Sequence, residues 1–261
     1  MNKWSFFAVF CCILLLCALP AMAQEEQALP VITITYAAGA PLSHEEAVDA
    51  QVTIARDGKE HAFPARLRLN AAAMDSEERE LPQRSLYIEG ADMRFVLYND
   101  GGDALRTKLL STVCSGLVAQ CPVAVPVRTQ EPVEVYVNGD YRGLYSRRED
   151  IADAIARFEG LDSAAALNVA DVNKKAFCGD PAGIANALQQ LKGLNLSLEA
   201  DRQTLSTLLD TESFLNWAAV NAFFGNLNMK SDVIFYQVGN GPIKCAMGDF
   251  AYALLIILTP R

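Results

Sequence analysis

Strand-type runs dominate the first hundred residues and helix-type spacings much of the rest. Val31-Ile32-Thr33-Ile34-Thr35-Tyr36 is a β-branched run that predicts a strand, and Gly39-Ala40-Pro41 breaks it. Residues 51–56 and 61–69 flank Asp57-Gly58, a two-residue hairpin signal, because Asp-Gly tolerates the positive φ that tight turns need. Further strands are expected at 85–89 and 94–98. Together they predict a mostly antiparallel sheet, with a charged, solvated loop over 74–80.

The texture changes at Asn99-Asp100-Gly101-Gly102-Asp103. Asp103 is a candidate cap for a helix whose apolar positions Leu105, Leu109, Val113 and Leu117 recur every four residues. Residues 133–137 and 141–145 alternate around Asn138-Gly139-Asp140, a second hairpin. Helices follow at 150–158, 181–191, 201–208 and 210–224; in the last, Asp210 is the expected N-cap and Phe214, Trp217, Ala218 and Phe224 share a face. A final hairpin, 232–238 with 243–247, turns at Gly239-Asn240-Gly241. Sheet, then helices, then a hairpin describes an α+β fold: a β-rich N-terminal region over 24–98 and a mainly helical region with a β-hairpin over 99–261.

Residues 1–23 stand apart from that fold. Lys3 precedes an uninterrupted apolar run from Phe6 to Leu19, then Pro20 and Ala21-Met22-Ala23, the order of a secretory signal peptide cleaved after Ala23. The run is too short to span a bilayer comfortably, so the expected mature chain is extracytoplasmic with no membrane span. Of seven cysteines, Cys114, Cys121, Cys178 and Cys245 remain after cleavage. They suit one or two disulfides, or equally buried small apolar groups. With 22 Lys+Arg against 31 Asp+Glu, the chain lacks the basic surplus of a nucleic-acid binder. Two histidines and no Cys-x-x-Cys pair argue against a zinc centre. There is no Gly-x-Ser-x-Gly elbow, Walker A loop or Gly-x-Gly-x-x-Gly.

The polar residues that merit chemical attention come late. Asn226, Asn228 and Asp232 follow the aromatic end of the 210–224 helix, and Asp249 follows the last hairpin. Hairpin ends lie near one another, so Asn228, Asp232 and Asp249 are expected to converge, and oxygen ligands so placed suit a hard cation such as Mg²⁺. The competing reading is turn residues and a helix C-cap.

These segments resemble the CotH (spore-coat protein H) kinase-like family. The stretch Val133-Glu134-Val135-Tyr136-Val137-Asn138-Gly139-Asp140-Tyr141-Arg142-Gly143-Leu144-Tyr145, with Glu149 after it, is similar to the family's most specific hairpin. The 103–110 segment, the Asp210–Phe214 helix start, 226–236 and Gly248-Asp249-Phe250 follow in family order. The resemblance implies an atypical protein-kinase-like fold and transfer of the ATP γ-phosphate to Ser residues of coat proteins with Mg²⁺ or Mn²⁺. Carried over by position, it implies Arg84 and Glu149 as an ion-paired nucleotide-binding couple. It also implies Asn228 and Asp232 as catalytic positions, and Asp232 and Asp249 as metal ligands. Asn228 and Ala251 stand where the family has Asp, and Arg68-Leu69-Asn70-Ala71-Ala72 lacks the glycine and serines of the family's phosphate loop.

Three readings follow. The chain is a secreted kinase-like protein with a weakened or inactive site, its partners ATP and extracellular or spore-coat proteins. Alternatively it is a non-catalytic envelope or spore-coat scaffold, or else an extracellular binding domain unrelated to kinases.

Overall fold

The computed structural model describes residues 28–70, 83–104, 107–250 and 252–254. The expected signal peptide, the 74–80 loop, Leu105 and Ala251 lie outside the described residues.

Seven strands close into a barrel: β1 (Val31–Tyr36), β2 (Val48–Arg56), β3 (Lys59–Leu69), β4 (Leu86–Gly90), β5 (Arg94–Tyr98), β6 (Gln130–Val137) and β7 (Asp140–Glu149), in the order β1-β2-β3-β4-β5-β7-β6. Every pairing is antiparallel except β1 with β6, where Val31 lies opposite Glu134 and the barrel shuts. Inward positions alternate along each strand, and Ile32, Ile34, Val52, Leu67, Ile88, Leu97, Val133 and Val135 are fully removed from water. Both expected hairpins form. At the second, Asn138 and Gly139 have φ of 51° and 89°, and Asn138 Oδ1 accepts the Tyr36 N–H at 2.9 Å, tying the turn to β1. The β-rich unit does not stop at Tyr98, since β6 and β7 from beyond it complete the wall.

The second layer is a four-stranded antiparallel sheet of order β11-β10-β8-β9, built from β8 (Leu167–Asp171), β9 (Ala176–Cys178), β10 (Val233–Val238) and β11 (Lys244–Met247). The last hairpin is therefore not free-standing, because β10 also pairs with β8. Helix α2 (Ile151–Glu159) packs its Ile151, Ala152 and Ile155 on Ile234, Tyr236 and Ala246. On the opposite face α1 (Leu110–Gln120) and α5 (Thr211–Phe224) meet Val233, Cys245 and Met247. Burial on both faces explains why β10 reads Val-Ile-Phe-Tyr without polar alternation. Helices α3 (Ala182–Leu191) and α4 (Glu199–Leu208) flank the sheet near Ala170 and Ile243.

Two amphipathic assignments need correction. Leu109, Val113 and Leu117, expected to face the core, are 42%, 53% and 49% exposed; the buried row is Leu110, Cys114 and Val118, one residue on. Both rows are apolar, and polar tethers choose between them. Asp103 Oδ2 accepts the N–H groups of Leu109 and Leu110, while Ser111 and Ser115 on the buried side accept hydrogen bonds from Gln130 Nε2. Asp103 thus caps the helix from seven residues upstream. On α5, Trp217, Val220 and Phe224 are buried with Ser213, whereas Phe214 turns outward against the Trp217 ring. Asp210 caps this helix as expected, accepting the Ser213 N–H at 2.9 Å. All four described cysteines are free, and burial pushes Cys114 up to about 11 and Cys245 up to about 12, leaving both as inert core thiols.

Candidate functional site

The chemistry-bearing groups gather on the outer wall of the barrel where the second layer covers it. On β5 and β7, Phe95, Leu97 and Tyr145 fill the barrel, so the alternate positions Val96, Tyr98, Ser146 and Arg148 point away from its interior. They are nonetheless buried, with Ser146 at 0% and Arg148 at 2% exposure, because α1 and the end of β11 lie over them.

Arg148 is the centre of this seam. Its Nη1 donates to Asp249 Oδ2 at 3.1 Å, its Nη2 to the Gly248 carbonyl at 3.2 Å, and its guanidinium stacks 4.1 Å from the Tyr98 ring centroid. The second Asp249 oxygen accepts the Ser111 hydroxyl at 3.2 Å and the Phe250 N–H at 2.6 Å. One ion pair therefore joins the barrel to the second layer, and with the Ser111 and Phe250 bonds both oxygens of Asp249 are engaged. Desolvated, hydrogen-bonded pairs of this kind are costly to break singly, because the survivor is a buried lone charge.

Asp100 lies next along the seam. It is fully buried, has a left-handed φ of 70°, and accepts the Ser146 hydroxyl at 2.8 and 3.0 Å. Thr112 Oγ1 lies 3.1 Å from the same hydroxyl. Burial pushes the Asp100 carboxyl up to about 7; the Ser146 bond and Arg148 oppose the rise, while Asp249 and Asp103 add to it. Lys108, itself left-handed at φ 56°, donates its ammonium to Gln83 Oε1. Burial lowers its proton affinity against the pull of Asp100 and Asp103. The 83–85 segment is bound to the same turn: Asn99 Nδ2 donates to the Gln83 carbonyl at 2.9 Å, and Ser85 Oγ donates to Asn99 Oδ1 at 3.0 Å.

The residues expected from the sequence divide into two groups. Asn228 and Asp232 meet, and Asn226 links Asn228 to the backbone of Asp249, whose carboxylate turns to Arg148 and Ser111. Asn228 Nδ2 donates to Asp232 Oδ1 at 3.1 Å, and Asn226 Nδ2 donates to the Asp249 carbonyl at 3.1 Å. The Asp232 backbone runs so close to Gly248 that a Cβ there would lie 1.9 Å from the Asp232 carbonyl oxygen, so only glycine fits. Arg84 and Glu149 stay apart. Arg84 is exposed between the bound residues Gln83 and Ser85 and makes no ion pair with the described residues. Glu149, one residue from Arg148, projects to the other face of β7 beside Phe95. There it pairs with Arg157 at 2.9 Å and accepts from Thr129 N and Oγ1. Although burial opposes its ionisation, Arg157 and the Thr129 donors hold its carboxyl below the usual range. The expected Arg84–Glu149 ion pair is therefore replaced by Glu149–Arg157, since β-strand alternation separates Glu149 from the seam.

A divalent ion does not fit this arrangement as a preformed site. Among the described residues no three His, Cys, Asp or Glu groups converge. Asp249 is held by Arg148, Ser111 and its own neighbour, and Asp232 by the Asn228 amide, which brings no charge to a metal. Of the residues that organise the seam, Asp103 was legible as a helix cap, whereas Arg148, Asp100 and Lys108 escaped sequence reasoning. Asn99-Asp100-Gly101-Gly102-Asp103 reads as a chain break, and the one available signal for Arg148 was its place on the barrel's outward face in an alternating strand. Among the described residues no helix is long and apolar enough to cross a membrane.

The chain matches the model of the CotH kinase protein family over residues 75–254, more than half its length, and belongs to that family. No curated protein matches it significantly.

Proposed function

We propose that this CotH-family protein is an exported kinase-like protein whose phosphoryl-transfer chemistry is attenuated. In that reading the barrel plays the part of an N-terminal kinase lobe and the helix-covered sheet that of the C-terminal lobe, with the seam between them as the remnant of the nucleotide cleft. An active member of the family would be expected to use ATP with Mg²⁺ or Mn²⁺ on serine side chains of spore-coat or other extracellular proteins.

The observation that carries the proposal is the closure of Asp249 by Arg148. Phosphoryl transfer depends on positioning and on neutralising the phosphate charge, and divalent ions do much of that work. Here the carboxylate best placed to face a metal is neutralised by a buried guanidinium of the chain itself. Asn228 stands where the family resemblance expects an acid, and an amide cannot take a proton from an acceptor hydroxyl. The loss of one such group costs on the order of a hundredfold to ten-thousandfold in rate. The scaffold reading rests on a different observation, the exposed apolar row Leu109, Val113 and Leu117, which gives a partner protein a contact on α1.

Phosphate transfer from labelled ATP to a Ser-rich peptide tests the proposal. The natural chain should give trace incorporation, and Asn228→Asp combined with Ala251→Asp should raise it at least tenfold. Turnover of the natural chain at rates typical of kinases would refute attenuation. A silent double variant with an unchanged melting temperature would favour the scaffold.

A further inference from the structure

A cavity of about 290 Å³ opens between the C-terminal half of α1, the 121–129 connection and the end of α2. Its wall is largely apolar, with Val118, Val123, Val125, Val127 and Phe158. Ser115, Thr129, Arg157, Arg128 and Gln130 supply the polarity, and the last two each carry an orphan atom. Arg128 Nε is shut off from water and donates to nothing, and Gln130 Oε1 is buried and accepts nothing. The rest of Gln130 is fixed, since its Nε2 donates to Ser115 Oγ at 2.6 Å and Ser111 Oγ at 3.3 Å.

Arg128 differs from the other arginines around it. Arg148 holds Asp249, Arg157 holds Glu149, and Arg94 holds Asp153, whereas no carboxylate of the described residues lies within ion-pair distance of Arg128. Burial and the nearby Arg148 push it down to about 10, with Asp249 and Asp150 drawing the other way. A donor nitrogen shut off from water with no acceptor is costly for a fold to keep. A guanidinium on an apolar wall matches a carboxylate in a two-pronged fork.

We propose that this cavity binds the chain-terminal α-carboxylate of a polypeptide ending in an apolar residue. The carboxylate pairs with Arg128, the terminal side chain fills the valine-lined wall, and the backbone N–H of the terminal residue donates to Gln130 Oε1. Gln130 distinguishes this ligand from a simple fatty acid, which has no donor to offer it. The volume suits one terminal residue, at the small end of ligand clefts.

Isothermal titration of the protein with N-acetyl-Val-Leu as the free acid, with its C-terminal amide, and with octanoate tests this. The free acid should bind at least tenfold more tightly than the amide and than octanoate. Arg128→Met should abolish the preference for acid over amide, and Arg128→Lys should retain part of it. A merely structural arginine would leave that preference unmoved. Equal binding of acid and amide, tighter binding of octanoate, an unchanged preference in Arg128→Met, or no binding by the folded natural protein would each overturn the proposal. Should Arg128→Met fail to fold, the acid-against-amide comparison on the natural chain and on Arg128→Lys still decides it.

Discussion

Replacing Asp100 by Asn should change how stability depends on pH. In the unfolded chain this carboxyl ionises near its ordinary value of 3.8, whereas in the folded protein burial holds it neutral up to about 7. Between those values the unfolded state binds fewer protons than the folded one, so stability falls as pH rises and levels off above 7. At ~1.4 kcal/mol for each tenfold change in proton affinity, Asp100 should remove about 2–3 kcal/mol between pH 5 and pH 8. Asparagine keeps the acceptor that the Ser146 hydroxyl meets at 2.8 Å, tolerates the left-handed φ of 70°, and does not titrate. Urea unfolding of both proteins at pH 5 and pH 8 measures the double difference. The variant should gain about 2–3 kcal/mol on the natural protein over that interval. Parallel behaviour of the two would show that Asp100 is ionised in the folded state, refuting the picture of a desolvated seam.

Three further outcomes follow from the same geometry. Arg148→Met strands the Asp249 carboxylate beneath α1 and should cost about 3–5 kcal/mol in chemical denaturation. Adding Asp249→Asn to it should recover part of that loss. Gly248→Ala drives a methyl group into the Asp232 backbone and should cost about 3 kcal/mol or more, read as a fall in melting temperature. Asn138→Ala loses both the positive-φ preference at the β6–β7 turn and the bond to Tyr36 N–H. It should cost about 1–2 kcal/mol by urea titration, and Asn138→Gly less.

Much of the architecture was legible because it is written in local signals. β1, the Asp57-Gly58 and Asn138-Gly139 turns and the Asp210 cap depend on backbone preferences of a few adjacent residues, and each forms where those preferences put it. Strands β8 and β9 were illegible for the converse reason. Leu167-Asn168-Val169-Ala170-Asp171 is short and follows three alanines, and it becomes a strand by pairing with β10, about 65 residues away. The rotation of α1 was hidden because two apolar rows compete and distant polar groups, Gln130 and Asp249, select one. That Asn228 and Asp232 would lie beside the Asp249 backbone was readable from hairpin geometry. Arg148, the partner of the Asp249 carboxylate, was not, since nothing local marks which strand will supply the buried cation.

The most direct test of the account is the melting temperature of the protein titrated with ATP, with and without Mg²⁺ or Mn²⁺. A ligand at a hundred times its dissociation constant adds about 2.7 kcal/mol to the folded state, several degrees for a chain of this size. If Arg148 keeps Asp249 from a metal, adding the divalent ion to ATP should leave the melting temperature where ATP alone sets it. A saturable rise that appears only with the metal present, and that Asp249→Ala removes, would contradict the claim that this kinase-family site is closed by its own arginine.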